Sequence, residues 1–287
     1  MNEGRGDSRM NKVLRDKVAV VTGGGGVLGS AFAKALAGAG AKVVIMNRTV
    51  EKAQAVVDAI QAAGGVAMVV PCDVLDKAAV EKAAIIVQEK LGPCDILINA
   101  AGGNHPSAVS AKECYQPDEE NPLQGTFFDL KVEGFNSVFQ LNFMGTFIPT
   151  QVFAQQMIGR PGATVINISS MGAYSPLTKV PAYCAAKAAI SNFTEWLAVH
   201  LAGAGIRVNA IAPGFFLTEQ NRTLLTNPDG SLTPRAQKII THTPMKRFGD
   251  PQDLLGTLLW LADEKTSGFI TGIVVPVDGG FNAYSGV

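Results

Sequence analysis

At 287 residues, 47% hydrophobic and 17% charged, the chain can bury a sizeable core, which excludes disorder as a whole-chain description. Lysine plus arginine balance aspartate plus glutamate at 24 against 24, which argues against a nucleic-acid or anionic-membrane partner. No apolar run reaches the roughly 20 residues of a bilayer span, and residues 1–16 lack the apolar centre of a secretory signal. The expectation is a soluble, cytoplasmic protein.

In chain order, a polar extension over 1–15 precedes a β-branched run at 18–21, a glycine cluster and an alanine-rich helical pattern through Ala39. Strands follow at 42–46, 66–70 and 96–98, with helices at 50–63 and 77–91 between them. Further along come a helix over 139–158, a strand at 164–168, a helix over 181–201, a strand at 207–211, a helix near 251–262 and a last strand at 273–277. Short Val/Ile runs alternating with helices predict a doubly wound parallel α/β sheet covered on both faces, Rossmann-like, in one domain over 16–287. Two stretches, 102–135 and 214–250, break the alternation, the second with a short helical pattern inside it. Both follow strands, so both belong to the carboxyl edge, where open α/β sheets bind ligands.

Thr22-Gly23-Gly24-Gly25-Gly26-Val27-Leu28-Gly29 joins the first strand to the first helix. Glycines there permit a tight turn and close approach of a pyrophosphate, and the helix N-terminus favours negative charge, so a dinucleotide site is expected. At the end of the second strand Met46-Asn47-Arg48-Thr49 offers no carboxylate for a ribose diol, while the Arg48 guanidinium suits a phosphate. That leans the expectation from NAD toward NADP. Tyr183 and Lys187 share a helix face at i, i+4. A phenol with a pKa near 10 costs roughly 4 kcal/mol to ionise at pH 7, and a neighbouring ammonium lowers that cost. Tyr183 is thus a candidate general acid/base. Cys72, Cys94, Cys114 and Cys184 have no paired spacing and the three histidines are far apart, so no metal and no disulfide framework are expected.

The glycine turn, Asn99-Ala100-Ala101-Gly102, Asn142, Asn167-Ile168-Ser169-Ser170, Tyr183-x-x-x-Lys187 and Pro213-Gly214 stand in the order and spacing of the short-chain dehydrogenase/reductase family. The chain resembles that family over about residues 15–280. By this resemblance, Tyr183 donates or accepts the proton, Ser170 orients the substrate oxygen, and Lys187 lowers the tyrosine pKa and holds the nicotinamide ribose. Asn142 supports a proton relay, and NAD(P) is the cofactor. The resemblance also places Asp73 and Val74 at the adenine, and Pro213, Gly214 and Thr218 at the nicotinamide side. It implies a homotetramer joined through the long helices and the last strand. Val27 departs from the family pattern, which has glycine at that position.

Ala101-Gly102-Gly103-Asn104-His105-Pro106, Phe127-Phe128-Asp129-Leu130, Pro176-Leu177-Thr178-Lys179, the run after Gly214 and the tail from Phe281 further resemble D-mannonate oxidoreductases, also called fructuronate reductases. That implies a small sugar-acid substrate, with Asn104, His105, Lys179, Asn221 and Arg222 as candidate contacts. The alternatives are a reductase of a neutral polyol or keto-sugar, and a cofactor-binding protein without turnover.

Overall fold

The computed structural model describes residues 12–116, 120–217 and 225–286. Seven parallel strands form one sheet in the order β3-β2-β1-β4-β5-β6-β7. They are β1 (Val18–Thr22), β2 (Lys42–Asn47), β3 (Val66–Pro71), β4 (Ile96–Asn99), β5 (Thr164–Ile168), β6 (Arg207–Pro213) and β7 (Val274–Val277). The strand order reverses between β1 and β4, which pair with Thr22 opposite Asn99. A ligand crevice opens at such a switch point.

The Val/Ile runs are apolar on both sides because each side packs helices. Along β1, Ala19 and Val21 enter one core with Phe32 and Leu36 of α1 (Val27–Gly38) and Val56 and Ile60 of α2 (Val50–Ala62). Val18 and Val20 enter the opposite core with Val80 and Val87 of α3 (Lys77–Leu91). The strand period of two therefore splits one run between two cores.

The helix expected over 139–158 begins earlier and is interrupted. It runs as α4 (Val132–Phe139), a π-helical turn (Gln140–Met144) and α5 (Gly145–Met157), with Pro149 inside α5. A π turn takes up one extra residue in the ladder, and apolar periodicity does not reveal it. Then come α6 (Pro181–Leu201), α7 (Pro234–His242) and α8 (Leu255–Ala262). The first turn of the helix expected at 251–262 is 3-10, Pro251–Leu254, closed by a reciprocal cap between Asp250 and Asp253. Stretch 102–135 carries the 3-10 turns Pro106–Ala108 and Phe127–Asp129, and α7 is the helical pattern within 214–250.

Candidate active site

At the carboxyl ends of the strands lies a cleft of about 760 Å³. One end is built by the glycine turn. Gly23 sits at φ +63°, and a Cβ there would meet the Ala101 backbone at 2.8 Å; a Cβ on Gly29 would meet the Gly23 carbonyl at 2.4 Å. Only glycine allows β1, α1 and the loop after β4 to approach this closely. Val27 is the first residue of α1 and needs no glycine conformation. The N-cap Gly26 provides no side-chain cap and the first turn holds no acidic residue, so N–H donors at this end of α1 are free of competing carboxylates.

Gly23, Gly26, Val27, Leu28, Gly29, Asn47, Arg48, Asp73, Val74, Ala100, Gly102, Pro213 and Gly214 all line the cleft. Among the described residues its wall carries three cations, Arg48, Lys52 and Lys187, against the one carboxylate of Asp73. An open helix N-terminus with net positive walls fits a dinucleotide's phosphates. Thr22 and Asn99, expected at the cofactor, do not line the cleft. Thr22 is fully buried, and its Oγ1 accepts from the N–H groups of Ala100 and Ala101 at 3.1 Å each. Asn99 Nδ2 donates to Thr150 Oγ1 at 2.8 Å and to Asn167 Oδ1 at 2.9 Å, while Asn167 Nδ2 reaches Thr194 Oγ1 at 2.9 Å. The Thr22 hydroxyl and the Asn99 amide nitrogen are spent inside the protein, while Asn99 Oδ1 is buried without a hydrogen-bond partner.

The same cleft is lined by Ser170, Tyr183 and Lys187. Ser170 follows β5 as the N-cap of a short 3-10 turn, Met171–Ala173, with its Oγ accepting from Gly172 N at 3.1 Å. Ser169 is instead tied to α6, 2.7 Å from Ser191 Oγ and 3.1 Å from the Lys187 carbonyl. Lys187 is 5% exposed; its Nζ donates to the Ile168 carbonyl at 2.8 Å and lies 5.6 Å from the Tyr183 ring centroid. Burial lowers its pKa to about 8. Burial also raises the Tyr183 phenol above its ordinary value, against a downward pull from the Ser170 hydroxyl. Burial is the largest cause of that shift, and Lys187 is not among the groups that move the phenol here.

Asn142, inside the π turn, is fully buried and clamps the loop after β4. Its Nδ2 donates to the carbonyls of Gly103 (2.7 Å) and Val138 (2.8 Å), and its Oδ1 accepts from Gly103 N at 3.3 Å. A side chain on Gly102 would collide with Asn142 Oδ1 at 2.7 Å.

The expected substrate contacts are not gathered here. Asn104 Oδ1 accepts from His105 N at 2.9 Å, and His105 Nδ1 caps the turn at Ser107, 2.7 Å from its Oγ. Lys179, at φ +73°, lines a separate groove of about 230 Å³ with Tyr115, Phe127 and Phe128. None of the three is among the residues that line the cleft. Thr218, Asn221 and Arg222 lie outside the described residues. Lining residues missing from the expectation include Lys52, Leu141, Phe215 and Phe216. Lys52 stands in the first turn of α2, just after Arg48 and the Asn47 end of β2. Leu141 depends on the π turn, which left no signal.

Comparison with known proteins agrees with this architecture. The short chain dehydrogenase family model matches residues 17–229. The uncharacterized oxidoreductase UxuB of Bacillus subtilis is 58% identical over 278 residues, covering 97% of this chain and 99% of that protein. The 7alpha-hydroxysteroid dehydrogenase of Escherichia coli K12 is 33% identical over 270 residues, 94% and 96% of the two chains. A crystal structure from Haemophilus influenzae, described provisionally as a D-mannonate oxidoreductase with bound NAD, superposes with a TM-score of 0.92 at 50% identity, covering 96% and 98% of the two chains. A glycine turn at the switch point, a Ser–Tyr–Lys group across the same cleft and these matches lead to one statement: the chain belongs to the short-chain dehydrogenase/reductase family and is an oxidoreductase acting on CH–OH groups.

Proposed function

We propose that this protein interconverts a sugar-acid ketone and its alcohol, D-fructuronate and D-mannonate, with Ser170, Tyr183 and Lys187 as catalytic residues and NAD(P)(H) as cofactor. The observation that carries the reading is the shared cleft: Ser170, Tyr183, Lys187 and the open N-terminus of α1 all line it. A nicotinamide bound between them would supply the hydride chemistry. Ser170 donates a hydrogen bond to the substrate oxygen. Tyr183 gives that oxygen a proton when a ketone is reduced and takes one when an alcohol is oxidised. Burial holds the phenol's pKa above its ordinary value. Lys187, held by the Ile168 carbonyl, presents its remaining N–H groups toward the cleft.

The sugar-acid substrate is supported by the 50% identical protein described with D-mannonate. Arg48 and Lys52, beside Asn47, support acceptance of a 2′-phosphate and hence NADP, whereas that relative holds NAD. The deciding experiment is a purified-enzyme screen of keto-uronates and matched neutral ketoses, each with NADH and NADPH. A higher kcat/KM for the keto-uronate is expected. Preference for the neutral ketose would reject the sugar-acid substrate, and absence of turnover on either class would reject both.

A further inference from the structure

The segment after β7 turns back across the carboxyl edge of the sheet. Asp278 organises it: its carboxylate accepts from Gly280 N at 2.9 Å and Asn282 N at 2.8 Å, and its carbonyl accepts from Phe281 N at 3.3 Å. Gly279 and Gly280 take φ +65° and +87°, a reversal that side-chain-bearing residues resist. From this hook two contacts reach toward the cleft. Ser175 Oγ donates to Asn282 Oδ1 at 2.8 Å, and Phe281 packs edge-on against Phe215 with ring centroids 5.2 Å apart.

Of the two receiving residues Phe215 lines the cleft, and Ser175 reaches it through the turn that begins at Ser170. Ser175 ends the compact turn that starts at Ser170: Ala173 N donates to the Ser170 carbonyl at 3.0 Å and Ser175 N to the Met171 carbonyl at 3.1 Å. Holding Ser175 therefore holds the backbone that aims Ser170. Phe215 lines the cleft, and its carbonyl is fixed by Gly249 N at 2.8 Å. Neither Phe281 nor Asn282 lines the cleft.

We infer that the hook 278–282 positions the substrate end of the site, Asn282 through Ser175 and the Ser170 turn, Phe281 through Phe215. It rests on the reading of Ser170 as the residue that orients the substrate oxygen. The consequence is directional. A loosened hook displaces the oxygen-binding hydroxyl and leaves the glycine turn, more than one strand away in the sheet, undisturbed. Small misplacements of orienting groups cost rate steeply.

The test uses the full chain carrying Ser175→Ala, Asn282→Ala, both together, and Ser175→Thr, assayed with the ketone that the wild type reduces. Tyr183→Phe runs in parallel. Each alanine variant should lose about tenfold in kcat/KM, and the double variant no more than the worse single, because both remove one contact. Ser175→Thr keeps the hydroxyl and should recover most of the loss. NAD(P)H affinity, read by cofactor fluorescence without turnover, should change less than about twofold, since this contact touches no cofactor-lining group. Multiplying losses in the double variant, or an equal loss of cofactor affinity, would overturn the positioning role. So would a lowered thermal midpoint with unchanged kcat/KM. If Tyr183→Phe turns over normally, the catalytic reading itself falls and takes this inference with it. If Tyr183→Phe is inactive while Ser175 and Asn282 are uncoupled, only the hook is rejected.

Discussion

Lys187 shows how one residue serves chemistry against stability. A lysine that ordinarily titrates at 10.5 is brought to about 8 by burial, with the Ile168 carbonyl as its hydrogen-bond acceptor. Between pH 8 and 10.5 the unfolded chain binds a proton that the folded one does not, so stability rises with pH across that window. Below pH 8 both states carry the charge and the folded state bears the full cost, on the order of 3 kcal/mol. Lys187→Met should therefore unfold at higher temperature than wild type at pH 7, and the difference should shrink from pH 8 to 10.5; thermal melts across that range check the sign. Tyr183→Phe keeps the ring and removes the proton, so kcat should fall at least about 100-fold while cofactor binding persists. Arg48→Ala should weaken NADPH by about 1.5–3 kcal/mol, the scale of hydrogen bonds to a charged group, and leave NADH nearly unchanged. Equal effects in titrations of the two cofactors would make Arg48 a bystander.

Elements meet at the switch point through buried polar bonds. Thr22 at the end of β1 satisfies two N–H groups of the loop after β4, and the Asn99–Asn167–Thr194 chain ties β4, β5 and α6 together. Buried donors left without an acceptor are costly. Thr22→Val preserves shape and strands the N–H groups of Ala100 and Ala101, so it should lower stability by about 1–3 kcal/mol in denaturant titrations. If Thr22 instead contacted the cofactor, the substitution would weaken cofactor binding without that loss of stability. The π turn works at the same scale: it sets Asn142 under Gly103, so the loop that walls the cleft is clamped from below.

At the scale of the whole molecule, an apolar strip on α6 faces outward. Phe143 of the π turn and Phe193, Trp196 and His200 of α6 form a chain of ring contacts, with Trp196 58% exposed and Val199 81% exposed. Exposed aromatic surface of this kind suits a second copy of the chain. An assembly through this face is expected, and Trp196→Glu should lower the mass measured by light scattering at micromolar concentration. An unchanged mass, or a monomeric wild type, would place the interface elsewhere or remove it. No described helix is long and apolar enough to cross a membrane.

Much of this fold was legible from residues 18–98, where β-branched runs, alanine-rich helices and a glycine turn each act through neighbours close in sequence. The i, i+4 pair of Tyr183 and Lys187, and Ser170 at the end of a strand, were legible for the same reason: local geometry alone places them on one face or one edge. What only the tertiary structure decided are matters of direction and competition. Thr22 and Asn99 carry cofactor-site motifs, yet Thr22 Oγ1 and Asn99 Nδ2 meet partners 50 or more positions away, as in the Asn99–Thr150 bond with its separation of 51. His105, which caps the turn at Ser107, and Lys179, at a positive φ, are not among the residues that line the cleft. Tyr183 has a raised pKa because desolvation depends on everything packed around the phenol, which no spacing in the sequence encodes.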